Sequence, residues 1–234
     1  MKIALLGYGK MGKTIEKIAI ERGHQVVLKA DEHTDLSTLK EAEVAIDFSV
    51  PTAAVGNITS CFNAGVPVVS GTTGWLSEYD QVIQQCKTLN GSFIYASNFS
   101  LGVNLFFELN KKLARMMSPV EGYDITMEEI HHTQKLDAPS GTAITLAEGI
   151  IEEHKEKTQW SLEERGKDSI TIDAKRIDQV PGTHTVTYTS QVDDLMIRHT
   201  AHNRQGFALG AVVAAEWLHN KKGVFTMKDV LGLS

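Results

Sequence analysis

An α/β architecture with two differently built sheets, one parallel and one mixed or antiparallel, is what this sequence predicts, on three observations. Up to residue 100, short apolar runs alternate with stretches of helical periodicity, the pattern of a parallel sheet covered by helices. Past Pro119 that rhythm stops, and residues 169–177, 183–191 and 193–199 alternate with period two around Pro181-Gly182 and Asp193-Asp194 turns. Residues 207–219, apolar with closely spaced Ala and Gly, then have the spacing of a helix lying against a sheet.

Taken in order, the apolar run 2–6 is the first strand and ends in Gly7-Tyr8-Gly9-Lys10-Met11-Gly12. Helical periodicity follows through Ile15, Ile18, Ala19 and Arg22 and closes at Gly23. Strand, glycine turn and helix form the context in which G-x-G-x-x-G means a Rossmann-type dinucleotide site: one glycine for the turn, one for the pyrophosphate, one for helix packing. Residues 25–29 are the second strand, and Asp31, 19 residues beyond Gly12, is placed to accept bonds from ribose hydroxyls. Glu32 and His33 follow it rather than an Arg, and Lys29 is the nearest cation. NADH and NADPH both stay open, with NADH expected to serve at least comparably.

Strands are expected at 44–48, 67–70 and 92–96, with helices at 53–64 and 78–89 between them. Ligands of such sheets bind beyond the carboxyl ends of the strands. That places Asp47, Ser49, the loop Gly71-Thr72-Thr73 and the loop Ser97-Asn98-Phe99-Ser100 in one crevice. Residues 101–117 read as a long helix whose stripe Leu105, Phe106, Leu109, Leu113 and Met116 is assigned to the core. A strand at 123–131 and a helix at 140–154 come next, and the polar stretch 155–168 is expected to be a loop or short helix.

Between that strand and that helix lies the densest chemistry in the chain, His131-His132-x-x-Lys135-x-Asp137-Ala138-Pro139-Ser140-Gly141-Thr142. Ser140 is a good N-cap, which leaves the N–H groups of Gly141 and Thr142 on the first helical turn. Free N–H groups beside a lysine make an anion site, and a run of His, His and Lys is costly to bury for packing alone. Together they imply a site for a small acidic molecule with a general acid at hand. The net charge of −6 argues against nucleic acid as a partner, so any anion must be held by such a local cluster. A composition of 42% hydrophobic and 22% charged residues is ordinary for a globular protein without membrane spans, and a cytoplasmic location is expected. Cys61 and Cys86, the only cysteines, have no metal-ligand spacing and are expected to be buried thiols. His184, His199 and His202 are read as polar strand-end residues, because no carboxylate or Cys completes a ligand set; no metal is expected.

The chain resembles, nearly end to end, the 4-hydroxy-tetrahydrodipicolinate reductase family, formerly dihydrodipicolinate reductases. Glu129-Ile130-His131-His132-x-x-Lys135-x-Asp137-Ala138-Pro139-Ser140-Gly141-Thr142-Ala143 is similar to that family's signature almost letter for letter. The resemblance implies NAD(P)H-dependent reduction of 4-hydroxy-tetrahydrodipicolinate, by way of its dehydrated imine, in diaminopimelate and lysine biosynthesis. It makes His131 the proton donor and Lys135 a second catalytic residue, with His132, Lys135, Ser140, Gly141 and Thr142 on a small dicarboxylate substrate. Gly7, Tyr8, Gly9, Lys10, Met11, Gly12, Asp31, Gly71, Thr72, Thr73, Ser97, Asn98 and Phe99 are implied around the coenzyme. The cofactor loop departs from many members, with Ser97 where they have Pro. A dinucleotide-binding domain over 1–100, completed by 208–234, and a substrate and oligomerisation domain over 101–207 follow from the same resemblance, as does a homotetramer. Two other classes are weighed beside it. A dinucleotide sensor without catalysis has no use for the His-His-Lys cluster, and a semialdehyde dehydrogenase requires a Cys nucleophile that neither cysteine's setting supplies.

Overall fold

A computed structural model describes residues 1–163, 166–203 and 205–233; Arg204, expected to be a surface charge, lies outside them. The chain divides into two compact units, Met1–Leu101 with Gln205–Ser234, and Gly102–Arg204.

The first unit carries strands β1 (Lys2–Leu6), β2 (Gln25–Ala30), β3 (Val44–Asp47), β4 (Val68–Ser70) and β5 (Ser92–Tyr95). Helices α1 (Lys10–Glu21), α2 (Pro51–Ala64) and α3 (Tyr79–Thr88) connect them. The helix α6 (Gln205–Leu218), a strand β11 (Gly223–Phe225) and a short helix α7 (Met227–Leu231) complete the unit. The sheet runs β11-β5-β4-β3-β1-β2 and is parallel throughout. Period two along β1 explains why both faces are covered. Ala4 and Leu6 join the core under α2 and α3, whereas Ile3 and Leu5 join the core under α1 and α6. Because β1 lies between β2 and β3, its carboxyl end is a topological switch point, where open sheets of this kind leave a crevice.

β11 is not legible in the sequence, because three residues are too few to show alternation. The small residues of α6 have a steric cause. A Cβ built on Gly210 would stand 1.7 Å from the Phe99 carbonyl oxygen, so only glycine lets the helix approach the 97–100 loop. Gly210→Ala is expected to destabilise by at least the ~1–3 kcal/mol typical of overpacking, seen as a lower urea midpoint; an unchanged midpoint would contradict this contact.

The second unit contains α4 (Leu101–Met117, beginning at the boundary), β6 (Asp124–His131), α5 (Gly141–Glu153), β7 (Gln159–Ser161), β8 (Ser169–Arg176), β9 (Thr183–Thr189) and β10 (Asp194–Thr200). Its sheet runs β10-β9-β6-β8-β7 and is mixed. β6 and β7 lie parallel to β8, while β9 is antiparallel to both β6 and β10. Two local expectations are corrected. β8 and β9 do not pair as neighbours across Pro181-Gly182, since β6 is inserted between them by the α5 crossover. Part of 155–168 is the strand β7 rather than only loop or helix, with residues 164–165 outside the description.

The stripe assigned on α4 is corrected in part, since Phe106 and Leu113 do join the core. Leu105, Leu109 and Met116 are 48%, 52% and 64% exposed, and the buried line is Val103, Phe106, Asn110 and Ala114. Apolar residues on two sides of one helix left the face ambiguous. Asn110 sits in the buried line because its amide donates to the Leu146 carbonyl at 2.9 Å.

Candidate active site

In the first unit, each glycine of the turn after β1 has a distinct environment. Gly7 has φ +92°, and a Cβ there would stand 2.2 Å from the Phe48 carbonyl oxygen, which lets the loops after β1 and β3 lie side by side. A Cβ on Gly12 would come 2.3 Å from the Gly7 carbonyl oxygen, while one on Gly9 would meet nothing within 4 Å. Gly9 is the N-cap of α1 and makes no side-chain cap bond. The open approach to Gly9 and the N–H groups of the first turn suit a pyrophosphate. Tyr8 and Met11 are half-buried beside this turn, and Lys10 is exposed.

Asp31 follows the end of β2, where its Oδ1 accepts from Thr34 Oγ1 at 2.7 Å and from the His33 N–H at 3.1 Å. Those bonds hold the carboxyl below its ordinary range. Lys29 Nζ is paired with Glu16 at 2.5 Å and lies 5.1 Å from the Tyr8 ring, and Lys13 approaches the same ring at 5.9 Å.

The 71–73 loop is tied down by Asp47, whose fully buried carboxylate accepts from Ser49, Asn57, Ser70 and Thr72 at 2.7, 2.9, 2.8 and 2.8 Å. Thr72 Oγ1 also accepts from the Ser49 N–H at 2.8 Å. Gly71 is required, since a Cβ would meet the Phe48 ring at 2.3 Å, and Thr73 is exposed. Ser97 is exposed, Asn98 Oδ1 accepts from the Ser100 N–H at 2.8 Å, and Phe99 is buried in the core.

In the second unit the chemistry grows out of β6. Its buried face begins as Ile125 and Met127 against α4 and α5, then continues as Glu129 and His131. On β9 the same face carries Tyr188, Val186 and His184, opposite Ile125, Met127 and Glu129 in register. Arg176 on β8 stands opposite His131. One sheet face thus changes from apolar to polar toward the carboxyl end of β6.

Glu129 is fully buried and accepts the Ser140 N–H at 3.1 and 3.0 Å and Arg176 Nη2 at 3.0 Å. His131 Nδ1 lies 3.5 Å, and His184 Nε2 3.7 Å, from Glu129 Oε2. Burial raises the Glu129 carboxyl, but the bonds from Ser140 and Arg176 outweigh it and leave it below its ordinary range. Burial lowers the His131 imidazole against the pull of Glu129, with Lys135, Arg176 and His132 adding to the lowering. Burial and the His131 ring push His184 down to about 4, so it is neutral at pH 7.

Ser140 caps α5 as expected, its Oγ accepting the Ala143 N–H at 3.2 Å and lying 3.1 Å from His184 Nε2. Gly141 is exposed, Thr142 and His132 are half-buried, and a Cβ on Gly141 would meet nothing within 4 Å. Lys135 Nζ donates to both oxygens of Asp137 at 2.8 and 2.7 Å, which holds Asp137 below the usual carboxylate range.

Arg176 and His184 were not singled out from the sequence as parts of this cluster. Arg176 donates to the carbonyls of Lys135 and Asp137 at 3.3 and 2.5 Å while also holding Glu129. It thereby braces the loop that carries Lys135. Sequence spacing offers His184 no carboxylate, yet Glu129, His131 and His184 each bring a ligand atom within 4.8 Å of the others. The carboxylate is already engaged by Ser140 and the Arg176 guanidinium, and it stands 3.5 and 3.7 Å from the two imidazoles, beyond a good hydrogen bond. Among the described residues both cysteines are free and buried, and burial raises both thiols, which removes the nucleophile a semialdehyde dehydrogenase requires. No helix of the described residues is long and apolar enough to cross a membrane.

Residues 1–99 match the family model "Dihydrodipicolinate reductase, N-terminus" and residues 102–231 match "Dihydrodipicolinate reductase, C-terminus". A 4-hydroxy-tetrahydrodipicolinate reductase of Christiangramia forsetii is 61% identical over 234 residues, covering 99% of this chain and 98% of that protein. One from Methanococcoides burtonii is 38% identical, over 95% of this chain and 86% of that one. Among solved structures, a dipicolinate-bound dihydrodipicolinate reductase from Paenisporosarcina superposes with a TM-score of 0.78 at 23% identity, over 97% of both chains, and shares the fold.

Proposed function

The chain belongs to the dihydrodipicolinate reductase family, and on that premise we propose how its residues divide the reaction. The reaction is the NAD(P)H-dependent reduction of 4-hydroxy-tetrahydrodipicolinate, through its dehydrated imine, to tetrahydrodipicolinate. Bound NADH or NADPH supplies the hydride. The Met1–Leu101 and Gln205–Ser234 unit is the dinucleotide-binding domain, and Gly102–Arg204 is the substrate and oligomerisation domain.

Hydride addition to the conjugated imine leaves a carbanion-like ring carbon that must take a proton. His131 gives it, because its ring stands at the carboxyl end of β6 beside the ionised Glu129 carboxylate, with Nδ1 3.5 Å from Oε2. That placement is the observation that carries the reading. Lys135 and the Gly141 and Thr142 N–H groups clamp one substrate carboxylate, and His132 and Ser140 complete the contacts. On the nucleotide side, Gly7 to Gly12 hold the pyrophosphate, Asp31 holds the ribose, and the 71–73 and 97–99 loops flank the nicotinamide. The assembly is a homotetramer, an inference supported by the exposed Leu195 and Met196 on the edge strand β10; sedimentation gives the mass.

Two outcomes test this division. Thr142→Val should raise the KM for substrate more than it lowers turnover, since its hydroxyl only holds the ligand; a fall in turnover at unchanged KM would contradict that role. NADH should serve at least comparably to NADPH, because Asp31 repels a 2′-phosphate and Lys29 is already paired with Glu16. A preference for NADPH of about a hundredfold or more in kcat/KM would remove Asp31 from the ribose.

A further inference from the structure

We propose that Glu129 is a positioning residue that fixes the tautomer of His131, holding a proton on Nδ1 and leaving Nε2, beside Gly182, to deliver a proton to the substrate. The inference rests on His131 being the acid. Glu129 has no exposed surface and so cannot itself meet a substrate. Its Oε1 is taken by Arg176 at 3.0 Å, and its Oε2 faces His131 Nδ1 at 3.5 Å. Among the described residues that buried Nδ1 has no hydrogen-bond partner. A bare Nδ1 lone pair aimed at an ionised carboxylate would be repelled, whereas an N–H there is attracted. The other edge of the ring meets Gly182, where a Cβ would stand 3.1 Å from Nε2 and 3.4 Å from Cδ2. Glycine leaves that nitrogen clear. The arrangement follows the logic of a carboxylate behind a histidine, in which the buried acid orients and never reacts.

The charged and titratable groups facing His131 are Glu129 on β6, His132 and Lys135 just after it, Arg176 on β8 and His184 on β9. Of these Glu129 alone is anionic, and it alone holds the His131 imidazole up against burial and the cations. An acid works only while protonated. Turnover therefore falls as pH rises through the pKa of His131, and losing the Glu129 charge must move that fall to lower pH.

The test uses the full-length enzyme with NADH and enzymatically generated substrate. Glu129→Gln should lower turnover at least ~10-fold, shift the alkaline fall of the pH profile to lower pH, and leave NADH affinity unchanged. Glu129→Asp, which keeps the charge, should return the fall toward its original pH. Gly182→Ala, which leaves the carboxylate in place and crowds Nε2, should lower turnover without changing NADH affinity; if Glu129→Gln does not fold, the ¹⁵N NMR signature of His131 in the wild-type enzyme decides the matter, a neutral ring protonated at Nδ1 supporting the proposal and one protonated at Nε2 alone overturning it. A folded Glu129→Gln enzyme with an unmoved pH profile overturns the proposal, as does a Gly182→Ala enzyme with normal turnover. Should His131→Gln itself keep normal turnover, the underlying assignment of the acid fails instead. If only His131→Gln collapses while Glu129→Gln keeps the wild-type profile, the positioning role alone is lost.

Discussion

Replacing His131 with Gln is expected to lower turnover ~10²–10⁴-fold, the usual contribution of a general acid, while NADH affinity stays within about twofold. Glutamine preserves much of the size and hydrogen bonding of the imidazole but cannot hand a proton to carbon. The coenzyme contacts proposed here all lie in the Met1–Leu101 and Gln205–Ser234 unit, so they are untouched by the change. Steady-state kinetics together with fluorescence titration of NADH separate the two quantities. Near-normal turnover would place the acid elsewhere, with Lys135 and His132 the next candidates.

Lys135→Ala should weaken binding of pyridine-2,6-dicarboxylate by more than loss of one cation alone implies. Lys135 Nζ donates to both oxygens of Asp137, so its removal leaves an uncompensated carboxylate facing a dianion. A hydrogen bond to a charged group is worth about 1.5–3 kcal/mol, or roughly ten- to a hundredfold in Kd. Turnover should fall as well if the ammonium helps move protons. The double variant Lys135→Ala with Asp137→Asn should bind the analogue better than Lys135→Ala does, because the stranded charge is gone. Calorimetric titration of wild type and both variants gives the comparison, and a double variant no better than the single would contradict the pairing.

The parts of this molecule that depend on local pattern were legible in its residues. The β1 turn and α1 follow from Gly7, Gly9 and Gly12 in their strand-helix setting, and the α5 cap follows from Ser140 before an apolar run. Parts that depend on register were not. His184 and Arg176 lie 53 and 45 residues beyond His131 in the chain, and nothing in local spacing says that β9 and β8 flank β6. Once β6 lies between them, Glu129 faces His184, and His131 faces Arg176. Asp47 was placed in the nucleotide crevice from sequence, but its part in tying β3 and α2 to the 70–72 segment needs the third dimension. The α4 stripe failed for a different reason. Leu105 and Leu109 have the helical spacing of a core line, yet tertiary packing buried Val103 and Ala114 beside Phe106 and left those two leucines exposed.

The central claim is that a dicarboxylate substrate bound at β6 and α5 is reduced by coenzyme bound at the glycine turn after β1. Initial rates of NADH oxidation, with enzymatically generated 4-hydroxy-tetrahydrodipicolinate and added pyridine-2,6-dicarboxylate, test it most directly. Substrate-dependent oxidation is expected, with the analogue competitive against substrate and not against NADH. Absence of substrate-dependent oxidation, or competition of the analogue with NADH instead, would contradict it.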